Sequence, residues 1–111
     1  MKIFLIGPMG SGKSTIGKVL SERLEYDFYD TDKLVEKVVG KKIKEIFEQN
    51  GEQYFRLKES EELDKTRKLK NAVIATGGGI IENEKNRLFL KEEKKVIFLD
   101  SSIERQYDRT K

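Results

Sequence analysis

A chain of 111 residues has room for one domain, and we expect residues 1–111 to form it. Cys and His are both absent, which excludes thiol nucleophiles, imidazole bases and Cys/His zinc sites, so a bound metal has to be a hard cation with oxygen ligands. The net charge of +3 suits an anionic ligand without requiring nucleic acid, and no apolar stretch approaches the length of a membrane span. We therefore expect a cytoplasmic protein that binds neither nucleic acid nor membranes.

The first predicted elements are a strand, a glycine-rich loop and a helix. Residues 2–6 form an apolar run typical of a buried parallel strand, and apolar residues recur at helical spacing over 14–24. Between them, Gly7 to Thr15 fit the pattern G-x-x-x-x-G-K-[ST]. Glycines let backbone N–H groups converge on a phosphate, and the following helix directs its positive end at the same anion. We therefore predict a nucleotide phosphate site in which Lys13 reaches the β- and γ-phosphates and the Ser14 hydroxyl binds Mg²⁺.

The rest of the chain alternates short strands with helices. Further strands are predicted over 26–29, 72–75 and 95–99. Helices are predicted from Leu34 to a stop at Gly40, over 43–50, over 52–69, after a cap at Asn83, and after a capping box at 101–104. This alternation predicts an α/β fold, in which helices cover both faces of a parallel sheet of four strands.

Candidate site residues follow the predicted strands, where an open parallel sheet binds its ligands. Asp30 and Asp32 would point the same way in an extended segment, so that one holds a water of the Mg²⁺ shell and the other accepts a substrate hydroxyl and its proton; helix capping is the alternative. Gly77 to Gly79 allow close approach by a ligand, or form a mobile connection. By pattern alone, Arg56 only pairs with Glu52 one helical turn away.

Together these motifs resemble shikimate kinase, a family of small P-loop kinases related to the nucleoside-monophosphate kinases. The segments that carry the resemblance are IFLIGPMGSGKSTIG at 3–17, FYDTD at 28–32, FR at 55–56, ATGGG at 75–79 and VIFLDSSIERQYDRT at 96–110. The phosphate loop alone is shared with very many NTPases. The order of DTD, FR and TGGG behind it makes the resemblance specific, and it extends across the whole chain.

The resemblance implies a kinase that phosphorylates the 3-hydroxyl of shikimate with ATP and Mg²⁺, a step of aromatic amino-acid biosynthesis. It implies Lys13 and Asp32 as catalytic groups, and Ser14 and Asp30 at the metal. The ATP-binding residues that it implies are Gly10, Ser11, Gly12, Lys13, Ser14 and Thr15. The shikimate-binding residues that it implies are Asp32, Gly77, Gly78 and Gly79 at the hydroxyls and Arg56 at the carboxylate.

The chain ends where the mobile lid of the family begins, so we expect a P-loop kinase domain truncated at the start of the lid and, by itself, a poor kinase. The family order of strands, 2-3-1-4-5, would lack its fifth member. The fourth strand would then be a bare apolar edge through which an otherwise monomeric chain can associate. Two alternatives stay open. One is a non-catalytic nucleotide-binding remnant or half-domain that needs a partner, and the other is another small-molecule P-loop kinase such as gluconate kinase.

Overall fold

The structure, a computed structural model, describes residues 1–99. Strands and helices alternate in it as predicted, and their bounds in chain order are β1 (Lys2–Ile6), α1 (Lys13–Leu24), β2 (Asp27–Asp30), α2 (Thr31–Val39), α3 (Ile43–Asn50), α4 (Glu52–Lys65), a 3₁₀ turn (Thr66–Lys68), β3 (Ala72–Ala75), a second 3₁₀ turn (Ile80–Glu82), α5 (Glu84–Glu92) and β4 (Val96–Phe98). The capping box at 101–104 and its helix lie outside the described residues. Within 1–99, no helix has the length and apolar character needed to cross a membrane.

The four strands are all parallel and lie in the order β2-β3-β1-β4. Ala72 of β3 is paired with both Lys2 of β1 and Asp27 of β2, while Phe4 of β1 lies opposite Val96 of β4. This is the order expected for the first four strands of the family, and the predicted fold class is confirmed. The segments that follow β1, β2 and β3 leave the sheet at the same end, because the strands are parallel.

Alternate residues of β1 pack on opposite faces of the sheet, as the pleat of a strand requires. Ile3 and Leu5 belong to the cluster against which Leu20 of α1 packs. Phe4 belongs to the cluster on the other face, where its ring meets the ring of Phe89 of α5 edge to face at 5.6 Å between centroids. Helices therefore cover both faces, which gives the three-layer arrangement.

A third apolar cluster joins the helices between β2 and β3. It is formed by Val35 of α2, Ile46 of α3 and Phe55 of α4. Arg56 follows Phe55 directly and Glu59 lies one helical turn later, so the burial of Phe55 fixes where both charged side chains start. This cluster therefore positions α4 next to the loop that follows β3.

Several boundaries differ from the prediction by one to four residues, and two of these differences follow from single hydrogen bonds. The helix expected over 52–69 ends before Thr66, whose hydroxyl donates to the carbonyl oxygen of Leu63 at 2.6 Å, and the chain continues as a 3₁₀ turn. Strand β2 begins at Asp27 rather than at Tyr26, because the backbone N–H of Tyr26 donates to the carbonyl oxygen of Ser21 in α1 at 2.9 Å. Both differences come from bonds that the hydrophobic pattern does not reveal.

Candidate active site

The phosphate loop connects β1 to α1. Gly10 and Gly12 have φ angles of 82° and 85°, in the left-handed region that favours glycine. Gly12 is the cap of α1, and Lys13 is the first residue of the helix. The amino end of α1 therefore opens into the cleft that the loop lines, with its first amides and the positive end of its dipole.

Lys13 is buried beneath the loop. Its ammonium donates to the carbonyl oxygen of Gly7 at 2.6 Å, to that of Pro8 at 2.8 Å and, less closely, to the Ser11 hydroxyl at 3.4 Å. Burial lowers the pKa of Lys13, while the carboxylates of Asp32 and Asp30 act in the opposite direction. An ammonium has three donors. Two of them stabilise the conformation of the loop by bonding its carbonyl oxygens. The ammonium of Lys13 also places a positive charge at the base of the cleft.

Both carboxylate oxygens of Asp30 accept hydrogen bonds, and Oδ1 accepts a second, longer one from the backbone N–H of Lys33 at 3.4 Å. Its Oδ1 accepts from the backbone N–H of Asp32 at 2.9 Å and caps α2, while its Oδ2 accepts from the Ser14 hydroxyl at 2.8 Å. The capping interpretation is therefore correct, and the same carboxylate lies beside the hydroxyl for which we predict Mg²⁺ binding. The expectation of an extended segment through Asp32 is wrong, because α2 already begins at Thr31.

Asp30 and Asp32 nevertheless line one cleft of about 220 Å³ together with the phosphate loop. The cleft is lined by Met9, Gly10, Ser11, Gly12, Lys13, Ser14, Thr15, Asp30, Asp32, Thr76, Gly77 and Gly78. The pKa of Asp32 is raised, mainly by burial and then by the neighbouring Asp30, with Lys13 acting against both. A larger groove of about 500 Å³ lies between α4 and α5, away from the residues singled out in the sequence.

Gly77 makes room for two carboxylates of the protein itself. A Cβ at this position would lie 2.6 Å from Oδ1 of Asp32 and 2.8 Å from Oε2 of Glu59, both too close for a contact. The backbone N–H of Gly77 donates to the Thr31 hydroxyl at 3.0 Å, so this amide already has a partner within the protein. The glycine is needed at this point because Asp32 and Glu59 converge on it.

Arg56 lies outside the phosphate cleft. It lines a neighbouring cavity of about 390 Å³ with Glu52 and Glu82, and the ion pair with Glu52 predicted from the sequence is present at 3.5 Å. Its guanidinium occupies the space beside Gly79, where a Cβ would lie 2.6 Å from Nη1. The charge of Arg56 lowers the pKa of Asp32, against the larger effects that raise it.

Glu59 is a buried site residue that the sequence interpretation missed. Its side chain is 1% exposed, and its Oε1 accepts from Nη1 of Arg56 at 3.2 Å. Its Oε2 has no hydrogen-bond partner within the described part of the chain. Burial raises the pKa of Glu59, and the bond to Arg56 opposes this. The available signal was its place one turn after Phe55 on the buried side of α4, where a carboxylate is unusual.

The parallel sheet and the loop between β1 and α1 place the chain in the class of P-loop α/β proteins. Within that class, the family model described as Shikimate kinase matches residues 9–111. The chain belongs to the shikimate kinase family, and the resemblance seen in its motifs is confirmed.

Relatives and solved structures give the extent of the similarity. The chain is 45% identical over 109 residues to the shikimate kinase of Legionella pneumophila (strain Corby), a match that covers 98% of this chain and 62% of that protein. The shikimate kinase of Aquifex aeolicus vf5 matches with a TM-score of 0.83 and 47% identity, covering 88% of this chain and 58% of that one. The shikimate kinase from Acinetobacter baumannii in complex with shikimate matches with a TM-score of 0.86 and 44% identity, and the match covers 88% of this chain and 55% of that one. The chain thus spans about three fifths of the length of these proteins.

Proposed function

We propose that the protein containing this chain transfers the γ-phosphoryl group of ATP to the 3-hydroxyl of shikimate, giving ADP and 3-phosphoshikimate. The observation that carries the proposal is the position of Asp32. It lines the phosphate cleft with Lys13, and beside Gly77 it approaches Glu59, which holds Arg56. A phosphate site, a base and a cation for a carboxylate are the groups that this reaction needs next to one another. Membership of the family and the shikimate complex of the Acinetobacter relative support the same assignment.

The phosphate loop is the proposed ATP site. Residues Gly10 to Thr15 surround the cleft, and the amides at the start of α1 stabilise the phosphate oxygens there. Lys13 adds a positive charge that neutralises the charge developing on the transferred group. Two of its protons are held by loop carbonyls, and the longest of its three bonds, 3.4 Å to the Ser11 hydroxyl, is the one that the phosphates would replace.

The side chains of Ser14 and Asp30 fit Mg²⁺. Their oxygens, 2.8 Å apart, are hard donors, the type that this cation prefers. Within residues 1–99 there is no cluster of three or more His, Cys, Asp or Glu side chains that could hold a metal. This agrees with a cation held by one or two protein groups and completed by phosphates and water. When bound, Mg²⁺ neutralises charge on the phosphates.

Asp32 is the proposed general base for the acceptor. Its carboxylate would accept the hydroxyl proton as the oxygen attacks the phosphorus, and a raised pKa makes the carboxylate a better proton acceptor. Gly77 to Gly79 contact the acceptor hydroxyls in this proposal, and Arg56 binds the acceptor carboxylate. An arginine suits that role because its planar guanidinium donates two parallel hydrogen bonds to a carboxylate.

The test is steady-state release of ADP by the product of the complete reading frame that contains this chain. With Mg²⁺ and ATP, we expect shikimate to be turned over at roughly 1–100 s⁻¹, the ordinary range for kinases. Arg56→Ala should raise the KM for shikimate roughly ten- to hundredfold, since losing a charge-assisted contact costs ~1.5–3 kcal/mol, and leave the KM for ATP unchanged. Faster turnover of gluconate would assign a different kinase. ATP binding without shikimate-dependent turnover would favour a nucleotide-binding remnant.

A further inference from the structure

Arg56 is surrounded by carboxylates of its own chain. Glu59 lies 3.2 Å from Nη1, while Glu52 and Glu82 lie 3.5 Å and 3.7 Å from Nη2. The three partners differ in exposure, since the Glu59 side chain is 1% exposed, whereas those of Glu52 and Glu82 are 64% and 70% exposed. One edge of the guanidinium is therefore fixed from inside the protein, and the other edge faces two exposed carboxylates.

The backbone explains why Glu82 reaches this arginine. Residues Ile80–Glu82 form a 3₁₀ turn, closed by a bond from the N–H of Glu82 to the carbonyl oxygen of Gly79 at 3.1 Å. In a 3₁₀ turn, side chains three positions apart lie above one another. Position 79 is a glycine, and the guanidinium of Arg56 fills the space that a side chain there would take. Glu82 therefore contacts the guanidinium from the loop after β3. Glu52 contacts it from within α4, because it lies four residues before Arg56 on that helix.

We propose that Glu82 and Glu52 form an acidic pair that competes with the acceptor carboxylate for Arg56 and thereby lowers the affinity for carboxylate-bearing acceptors. This inference rests on the proposed function, because it concerns the same arginine and the same acceptor. An incoming carboxylate has to displace the pair from Nη2, where both glutamates meet the guanidinium. Glu59 stays in place, since it is buried and holds Nη1. The acidic pair thus sets how readily Arg56 becomes available.

The size of the effect follows from the exposure of the pair. Exposed ion pairs are weak and are screened by salt, so each is displaced at small cost. For Glu82→Gln we expect shikimate to bind two- to fivefold more tightly. This corresponds to about 0.4–1 kcal/mol of binding free energy, because a tenfold change in Kd is about 1.4 kcal/mol. The double variant Glu52→Gln with Glu82→Gln should gain more than the single one, because it removes both competitors. The gain should shrink as the salt concentration rises.

The experiment is calorimetric titration of the complete protein and these variants with three ligands. Shikimate carries the carboxylate, its methyl ester lacks the charge, and ATP binds in the other cavity. We expect the substitutions to tighten binding of shikimate and to leave the Kd of the ester and that of ATP unchanged. Glu84→Gln is the matched control, because it removes the same charge two residues further along, and Arg56 makes no ion pair with Glu84 within residues 1–99.

Each other outcome overturns the inference. Unchanged or weaker binding of shikimate by Glu82→Gln means that Glu82 does not compete for the arginine. An equal gain in Glu84→Gln, or an equal gain for the ester, means that long-range charge rather than displacement is responsible. Failure of the unsubstituted protein to bind shikimate, while it binds ATP, would refute the proposed function itself. If instead the unsubstituted protein binds shikimate and the substitutions do not change its Kd, only the inference about the acidic pair is refuted.

Discussion

Replacing Gly77 by alanine is the perturbation whose consequence the structure defines most closely. The new Cβ would lie 2.6 Å from Asp32 Oδ1 and 2.8 Å from Glu59 Oε2, which is about 0.6–0.8 Å inside ordinary van der Waals contact. Glu59 is buried and tied to Arg56, so it has little room to move away. Inserting a methyl group into such packing typically costs ~1–3 kcal/mol of stability. Each kcal/mol lowers the Tm of a domain of this size by roughly 4–8 °C.

Thermal unfolding and ligand titration together test this reasoning. Because the strain falls on Asp32, we expect Gly77→Ala to bind shikimate about tenfold more weakly, equivalent to ~1.4 kcal/mol, while ATP affinity stays close to that of the unsubstituted protein. Gly78→Ala is the comparison for stability: a Cβ there would lie 3.0 Å from the backbone N of Met9, a smaller overlap than at Gly77, and Met9 is exposed. A melting temperature of Gly77→Ala equal to that of the unsubstituted protein would show that Asp32 and Glu59 are not tightly packed around Gly77.

Three further substitutions test other parts of the site. Lys13→Ala should weaken binding of ATP and ADP in calorimetry and also cost ~1–3 kcal/mol in urea unfolding, because loop carbonyls lose their donor. Asn83→Ala should cost ~0.5–2 kcal/mol with unchanged ATP affinity, since it removes the cap on α5 that accepts from the N–H of Lys85 at 2.8 Å. For Glu59→Gln the prediction concerns pH. Burial raises the pKa of Glu59 above the ordinary value of 4.5, so the folded state keeps a proton that the unfolded state releases as the pH rises past that value. The unsubstituted protein should therefore lose stability relative to Glu59→Gln as the pH rises from 4.5 through the raised pKa of Glu59, and a constant difference in urea unfolding would contradict this.

Local patterns were sufficient for most of the fold. The strand, glycine loop and helix at the start of the chain, the stop of α2 at Gly40 and the cap of α5 at Asn83 are each specified by neighbouring residues, and the structure has them. The strand order came from the resemblance rather than from the pattern, and it is confirmed for the four strands described. Local rules worked here because caps and hydrophobic periodicity act over one or two turns of chain.

The parts that the sequence did not reveal are tertiary contacts. Glu59 is buried because the cluster around Phe55 holds α4 against the loop after β3, and no local pattern shows that the two meet. Glu82 and Arg56 are likewise 26 positions apart in the chain, and they meet only because a 3₁₀ turn directs Glu82 towards the arginine. Asp30 and Asp32, at the end of β2 and the start of α2, line one cleft as expected, although the reason given for their orientation was wrong, since α2 starts one residue before Asp32.

The most direct test of the central claim is the identity of the phosphorylated product. The product of the complete reading frame is incubated with ATP, Mg²⁺ and shikimate, and the reaction is followed by ³¹P NMR together with ADP release. We predict one 3-phosphoshikimate for each ADP, and a severe loss of this product in Asp32→Asn with ATP affinity retained. Conversion of ATP to inorganic phosphate without 3-phosphoshikimate, or an unchanged rate in Asp32→Asn, would contradict the account.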